Sequence, residues 1–428
     1  MREIVVFLSF VILPITLMSQ AVPSISTQIA GKPSTSSPAS QPLTLSEVLD
    51  LAHRGNPTLL SAAQHLKAVR AQEVTAGLRQ NPVGIVGGQL LTESADANNP
   101  YFYQAGLQRL FERGNKRQSK LDTARSTTTL TSFQLDDQRR QLDLAIRQAF
   151  SRMLYAQQAL AISRDNLDGY RRTVELMKVR LDAGNIDQTD FDRVELQLAG
   201  FDSDLDNAEL TLRQGSITLQ TLIGIAAPDD NFAIAGTLDP PVITATLQEL
   251  RTSALAKRPD LKAAREQIDV NAAQVKLAVA NGTADPTLES DYERSGHVNS
   301  FGASINLPLR LFDRNQGEKE RTRYELESSR LALVAAQNQV ISDVDTAWAA
   351  YLAVRSQSER YRSKYLVEAA HVRDNLEFSY RNGNATLLDY LSALSDYRQV
   401  NLASLNARLQ LLLALQQLGY AAQTEIIP

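Results

Sequence analysis

Proline is distributed very unevenly along this chain of 428 residues, and this limits what the chain can fold into. None of the 15 prolines lies within residues 101–227 or 309–427. Inside those regions, residues 115–183 contain one glycine and residues 318–382 contain none. Each segment can therefore form one continuous helix, because proline and glycine are the residues that weaken helices most. At 1.5 Å per residue such a helix is a rod of roughly 100 Å.

The second of these segments carries an apolar heptad repeat. Its members are Leu326, Leu333, Val340, Ala347 and Val354, with Val344 and Tyr351 at intermediate positions. This spacing is typical of helices that pack side by side in a coiled coil. A rod of this length exceeds the diameter of a compact domain, so we expect it to pack along a partner helix.

The two halves of the chain are copies of one another, at an offset close to 200 residues. Four groups of residues match in the same order. They are Leu45, Glu47, Ala52, Pro57 and Leu59 with Leu247, Glu249, Ala254, Pro259 and Leu261; Asn81-Pro82 with Asp285-Pro286; Leu110-Phe111-Glu112-Arg113 with Leu311-Phe312-Asp313-Arg314; and Gly184-Asn185 and Asp190 with Gly383-Asn384 and Asp389. We therefore predict a first repeat over residues 43–236 and a second repeat over residues 237–428.

Each repeat contains a short region in which apolar residues alternate with polar residues or glycine. The alternation runs from Phe301 to Leu309 in the second repeat and from Tyr101 to Gln108 in the first. Period two indicates β-strands. We predict strands within residues 83–111 and 287–309, and long helices over 115–224 and 317–420.

Strands of about ten residues are long enough to cross an outer membrane when tilted. Four strands cannot close a barrel alone, and an open sheet edge in lipid would leave backbone groups unpaired, so we expect an oligomer. Because alternate residues of such strands face water, an apolar content of only 43% is compatible with a membrane protein. Tyr101, Tyr103 and Phe301 are the expected aromatic residues at the lipid interface.

Composition argues against several classes of function. A net charge of -4 implies no basic surface for nucleic acid. The chain has no cysteine and four histidines, which leaves little for thiolate metal sites or for nucleophilic catalysis. Asp202, Asp204 and Asp206 resemble the start of a calcium loop, but Asn207 and Arg213 stand where the loop needs Gly and Glu. We expect no enzyme activity, no cofactor and no metal site.

Residues 1–21 have the features of a secretory signal peptide. Arg2 precedes an apolar run over residues 4–17, and Ser19-Gln20-Ala21 offers the small residues that a signal peptidase reads. The run is shorter than the roughly 20 residues of a spanning helix, which argues against a membrane anchor. We predict cleavage after Ala21, followed by a flexible leader over residues 22–42.

The repeated organisation resembles that of the outer-membrane efflux protein (TolC) family. The resemblance rests on residues 45–57, on Lys257-Arg258-Pro259-Asp260-Leu261, and on residues 380–389. It implies a mainly α fold with transmembrane β: a homotrimer in which each chain gives four strands to a twelve-stranded barrel, continued by a periplasmic tunnel of helices. Residues 307–317 are similar to the heavy-metal (cobalt, zinc, cadmium) efflux branch, although the same residues are ordinary turn and cap chemistry.

The resemblance also implies a function and partners. Family members are passive exit ducts in the outer membrane of Gram-negative-type cells. A periplasmic adaptor (membrane fusion) protein joins them to an inner-membrane efflux pump. The substrate stays open, because a wide water-filled duct need not recognise what passes through it.

The expected functional residues lie at the two turns between the long helices. The resemblance places adaptor contact on Gly184, Asn185 and Ile186 in the first turn, and on Gly383, Asn384, Ala385 and Thr386 in the second. Glycine at these positions also permits the left-handed stop of a helix.

The family narrows its tunnel with a ring of aspartates just past the second turn, and Asp389 is the matching position. Three converging carboxylates would attract cations. Ser392 stands where some members have a second aspartate, so we expect a gate less acidic than in those members. Asp190 is the first-repeat counterpart of Asp389 and could serve as a gate residue or as a helix-end carboxylate. The alternative for Asp389 is a carboxylate that the helix N-terminus stabilises.

A periplasmic coiled-coil adaptor or scaffold without a barrel is the alternative for the whole chain. It explains the heptads and the lack of catalytic residues. It does not explain alternating strands at the same place in both repeats.

Overall fold

A computed structural model describes residues 42–91, 100–241 and 243–424. The predicted signal peptide and nearly all of the predicted leader lie outside these ranges. The described residues form helices and strands in the same order in both halves of the chain.

The first half contains two short helices, a strand pair and two long helices. They are α1 (Leu45–Gly55), α2 (Pro57–Gly77), β1 (Val83–Leu90), β2 (Tyr101–Leu110), α3 (Lys116–Asp182) and α4 (Gln188–Ile223). The second half repeats this order. Its elements are α5 (Leu247–Lys257), α6 (Pro259–Asn281), β3 (Thr287–Ser295), β4 (Val298–Asn306), α7 (Gln316–Arg360), a π-helical turn (Tyr361–Tyr365), α8 (Leu366–Arg381) and α9 (Leu387–Ala422).

The predicted long helices are present, with one difference between the halves. Helix α3 runs without interruption for 67 residues, or about 100 Å. The corresponding rod of the second half contains the π-helical turn between α7 and α8, which the absence of glycine and proline did not predict. A π turn inserts one extra residue into a helical turn and therefore shifts the faces of the helix on either side.

Capping explains where the short helices begin. Thr44 and Glu47 form a reciprocal capping box at α1, and Thr246 and Glu249 form the same box at α5. Backbone and side-chain hydrogen bonds from the threonines lower the pKa of both glutamates. The duplication therefore extends to the chemistry of the helix ends.

The described strands form one antiparallel sheet in the order β1-β2-β3-β4, and the β2–β3 pair joins the two halves. The alternation in β4 ends at Asn306, so the prediction that strand structure extends to Leu309 is three residues too long. Pro308 explains this end, because proline cannot donate a ladder hydrogen bond.

The two faces of the sheet differ sharply in polarity. Residues directly opposite in the register share a face, and one face carries mainly apolar groups. Its residues include Val86, Ala105, Tyr292 and Phe301 in one row and Leu107, Ser290 and Ala303 in another. The opposite face is polar. Its rows include Gln104, Glu293 and Ser300, and Gln108, Glu289 and Ser304.

The heptad residues of α7 pack as predicted. Val340, Val344, Ala347 and Tyr351 are buried against α9, where Leu415 and Leu418 are fully buried. The corresponding part of α3 packs around Ile146 and Met153. No helix in the described ranges is both long enough and apolar enough to cross a membrane.

A buried ionic network joins α3, α6, α7 and the end of α9. Arg258 is only 5% exposed and contacts Asp260 at 2.6 Å and Asp343 at 2.9 Å. Arg140 contacts Asp260 at 3.5 Å and donates a hydrogen bond to the Tyr420 carbonyl at 3.0 Å. Burial acts to raise the pKa of Asp260, but Arg258 and Arg140 outweigh it, and the pKa lies below its usual value.

We predict that Arg258→Met destabilises the fold by about 3 kcal/mol, because the buried guanidinium is the close partner of both carboxylates: Asp343 loses its ion pair and Asp260 keeps only the 3.5 Å contact with Arg140. Arg251→Met is the matched control, since Arg251 pairs with Asp345 at a half-exposed position and should cost much less. Denaturant unfolding of the detergent-solubilised protein, followed by circular dichroism, measures both.

The same network gives a pH dependence. The folded-state pKa of Asp260 lies below its ordinary value of 3.8, so its contribution is present above that pH and is lost as pH falls further. The advantage of the wild type over Arg258→Met should therefore narrow below about pH 4. Equal destabilisation by the two variants at neutral pH would contradict this account of the network.

Candidate functional site

Both turns between long helices have the same backbone geometry. Gly184 and Gly383 adopt φ values of +72° and +78°, in the left-handed region. In each turn the residue after the glycine donates a 2.8 Å hydrogen bond back into the preceding helix, from Asn185 to the Arg180 carbonyl and from Asn384 to the Ser379 carbonyl. This is the Schellman stop of a helix, so the glycines have a structural role at both tips.

The predicted contact residues divide into exposed and packed groups. Gly184, Asn185, Gly383, Asn384 and Thr386 are exposed, whereas Ile186 and Ala385 are half-buried. Ile186 packs against a cluster that contains Met177, Val194 and Leu391. The surface of each tip is therefore made mainly of the glycine, the asparagine and the open backbone around them.

Asp389 takes part in a capping box at the start of α9. The Thr386 hydroxyl donates to its carboxylate at 2.7 Å, and the Asp389 amide donates to the Thr386 hydroxyl oxygen at 3.2 Å. Asp389 and Ser392 are exposed. The carboxylate is therefore a helix cap and also remains open to solvent, which is compatible with either role predicted for it.

Asp190 stands at the matching place on α4 but is held differently. Its amide donates to the Asp187 carboxylate at 2.7 Å, so Asp187 is the cap of α4. Its own carboxylate is half-buried and lies 3.7 Å from Arg193. Asp190 is therefore partly neutralised, and Asp389 is the more open carboxylate of the two.

Tyr380 lies behind the second tip and links the two helical hairpins. The Tyr380 ring stacks on the Tyr390 ring, with centroids 5.5 Å apart and planes 3° from parallel. The Tyr380 hydroxyl donates to the Met177 sulfur at 3.4 Å, and the Arg180 guanidinium lies over the Tyr380 ring, 5.1 Å from its centre. Burial raises the pKa of Tyr390. Sequence reasoning did not assign a role to Tyr380, although it begins the motif over residues 380–389.

Tyr380 and Tyr390 also line a groove of about 540 Å³ between the hairpins. Its lining includes Tyr170, whose hydroxyl donates to the Val194 carbonyl at 2.8 Å and whose ring stacks on Phe201 at 4.3 Å. Burial raises the pKa of Tyr170. Arg398 lies over the Phe201 ring and pairs with Asp204 at 3.2 Å, which ties α9 to α4.

The polar face of the sheet carries a row of carboxylates. Glu289, Asp291 and Glu293 alternate along β3 and therefore point to the same side. Asp291 lies over Gly302, where an added Cβ would meet the carboxylate at 2.7 Å. Among the described strand residues on this face there is no lysine, arginine or histidine. The face is therefore acidic.

The aromatic residues predicted for the lipid interface lie on the apolar face of the sheet. Tyr101 and Tyr103 are 44% exposed and stack at 6.2 Å, and Phe301 is 83% exposed and contacts Tyr292 at 5.0 Å. Within the described ranges, no group of three or more His, Cys, Asp or Glu residues is arranged to hold a metal ion.

Comparison with known proteins identifies the family. The model of the outer membrane efflux protein family matches residues 48–225 and 250–422. The chain belongs to this family. The two matched regions coincide with the two structural halves, and the match does not favour a coiled-coil adaptor without a barrel.

Individual relatives are more distant. The chain is 28% identical over 287 residues to the cobalt-zinc-cadmium resistance protein CzcC of Cupriavidus metallidurans, a match that covers 65% of this chain and 66%, about two thirds, of that protein. It is 23% identical over 404 residues to outer membrane protein TolC of Vibrio cholerae, covering 89% and 90%. The open state of the MtrE outer membrane channel of Neisseria gonorrhoeae has the same fold, with a TM-score of 0.74, 19% identity and 89% of each chain covered.

Proposed function

We propose that this protein is the outer-membrane exit duct of a tripartite efflux system. The observation that carries the proposal is a sheet with one apolar face, continued by helical rods about 100 Å long. The strands are eight to ten residues long, which suits a tilted crossing of the bilayer, and the rods are long enough to reach far into the periplasm.

The sheet edges support assembly as a trimer. Within the described residues, β1 and β4 each pair on one side only. In lipid their free backbone groups would cost several kcal/mol each, so they must pair with strands of other copies. Three copies would give a twelve-stranded barrel, with the apolar face in lipid and the acidic face in the lumen.

The helix tips are the proposed contact with a periplasmic adaptor protein. Both tips end in a Schellman turn that presents exposed backbone and an asparagine. The two turns are nearly identical, so one adaptor could engage six similar tips of a trimer in alternation. An inner-membrane pump would supply the energy, and this chain would carry out no chemical step.

Asp389 is the proposed constriction at the tunnel entrance. Its carboxylate is exposed at the tip, and three copies around an axis would place three negative charges in a narrow passage. The Tyr380 hydroxyl bonds to the Met177 sulfur and Arg180 lies over the Tyr380 ring, and these two contacts hold the second hairpin against the first. Opening would require these two contacts to separate when an adaptor docks.

We further propose that the cargo is cationic and includes heavy-metal ions. Two features support this: the acidic lumen face of β3, and the similarity to a protein named for cobalt, zinc and cadmium resistance. Nine lumen carboxylates in a trimer would raise the local concentration of cations without holding them tightly.

Single-channel recording in planar bilayers tests the duct and its gate together. We predict that wild-type trimers conduct and prefer K⁺ over Cl⁻, and that Asp389→Asn lowers this preference at least about threefold, because three negative charges leave the passage and a single unit charge about 7 Å away in water already accounts for roughly that factor. Asparagine can keep the cap, so the change reports on charge. Glu249→Gln is the control, since it alters the same kind of capping box at α5. An Asp389→Asn trimer with unchanged selectivity would eliminate the gate.

The same recording tests the acidic face. The triple variant Glu289→Gln, Asp291→Asn, Glu293→Gln should reduce cation preference by about tenfold at low salt, because it removes nine carboxylates from the lumen. Arg294→Gln removes a charge from the opposite face of the same strand and should leave the preference intact. If both variants retain wild-type selectivity, the cargo proposal loses its structural support.

A further inference from the structure

Three arginines lie around the end of the sheet nearest the long helices. Arg79 follows α2, Arg109 is the penultimate residue of β2, and Arg117 lies in the first turn of α3. All three are exposed, and together they line a depression of about 360 Å³.

Neighbouring acidic groups do not neutralise this cluster. Glu112 pairs with Lys120 at 2.6 Å, and Asp285 pairs with Lys116 at 2.5 Å. Among the residues that the structure describes, no carboxylate lies within 4.0 Å of the guanidinium groups of Arg79, Arg109 or Arg117. The depression therefore keeps three positive charges, and the N-terminus of α3 adds to their potential.

The register places Arg109 on the lipid side of the sheet. Arg109 is opposite Leu288, which is opposite Ile305, and it follows Leu107 on the same face. The outward positions of β2 are thus Tyr101, Tyr103, Ala105, Leu107 and Arg109. The eight steps from Tyr101 to Arg109 cover about 27 Å along the strand. At a tilt near 40° this is about 21 Å along the membrane normal, slightly less than the apolar band of about 25 Å that surrounds such barrels. Arg109 therefore lies near the edge of the hydrocarbon, where its long side chain can reach the lipid headgroups.

The side chains around Arg109 suit this boundary. Its guanidinium lies 5.1 Å from the centre of the Phe111 ring, which is 43% exposed. An aromatic ring beside a cation is an amphipathic pair that fits a membrane interface. Guanidinium groups bind phosphate oxygens through paired, charge-assisted hydrogen bonds.

We propose that Arg79, Arg109 and Arg117 bind the phosphodiester of an anionic phospholipid in the leaflet that faces the periplasm. This site goes beyond the export function and depends only on placement in the outer membrane. In the second half Arg310 matches Arg109, but the position that matches Arg117 is Glu318, which pairs with Arg321. The duplication therefore supplies this site once among the described residues, and a trimer would hold three such lipids.

Native mass spectrometry of purified trimers titrated with phosphatidylglycerol tests the site. The double variant Arg109→Gln, Arg117→Gln should bind the lipid about tenfold more weakly and lose up to three lipids per trimer, because charge-assisted hydrogen bonds are removed from each site. Arg125→Gln is the matched control, eight residues further along α3 and so about 12 Å from Arg117. It should behave as the wild type. Inorganic phosphate at the same concentration should not displace the lipid.

Three results would overturn the proposal. The first is an unchanged lipid count and affinity in the double variant. The second is displacement by equimolar inorganic phosphate, which would make free phosphate the ligand. The third is a double variant that is less thermally stable than the wild type by the same amount with and without phosphatidylglycerol. That result would show that the arginines stabilise the protein itself and do not bind the lipid.

Discussion

The structure depends on one requirement of the bilayer: every backbone amide and carbonyl in the hydrocarbon must have a hydrogen-bond partner. In the described sheet of each chain, the inner strands β2 and β3 are paired on both sides. The outer strands β1 and β4 are paired on one side only, so each has an edge of unpaired backbone groups. An oligomer is therefore a condition for the fold to exist in a membrane. The bilayer also explains why one face of the sheet is apolar and the other polar, since only one face contacts lipid.

The duplicated chain meets this condition with two similar halves that are not equivalent. Both halves have capping boxes, a strand pair and a Schellman turn in the same places. They differ in the continuity of the long helix. Helix α3 is continuous, whereas the π turn at Tyr361–Tyr365 separates α7 from α8, and α8 contains no buried residue. Within the second hairpin, α8 is therefore the exposed helix, whereas α9, which carries Asp389, is buried at Tyr390, Leu391 and Ala393.

Much of this architecture could be predicted from local patterns. The gaps between prolines gave the long helices, the heptad gave the buried face of α7, and alternation gave β2 and most of β4. The left-handed glycines at both tips followed from the Gly-Asn pairs. These features depend on neighbouring residues, so a single chain shows them directly.

Features that depend on distant residues could not be predicted. Arg258 bonds with Asp343, 85 positions away, and Tyr380 contacts Met177 more than 200 positions earlier. The acidic face of the sheet could not be recognised without the strand register. Only the register shows that uncharged residues of β2 and β4 lie beside the carboxylates of β3. The three exposed arginines belong to separate segments, and only the structure shows that they line one depression at the end of the sheet.

Closure of the barrel between copies is the central claim, and disulfide cross-linking tests it most directly because the chain has no cysteine of its own. Gly87→Cys on β1 would be combined in turn with Ser300→Cys and Ser304→Cys on β4, and the protein oxidised in outer-membrane fractions. The account predicts that at least one pair gives a covalent trimer that survives boiling without reductant. Monomers alone, or a ladder that continues beyond three chains, would contradict it.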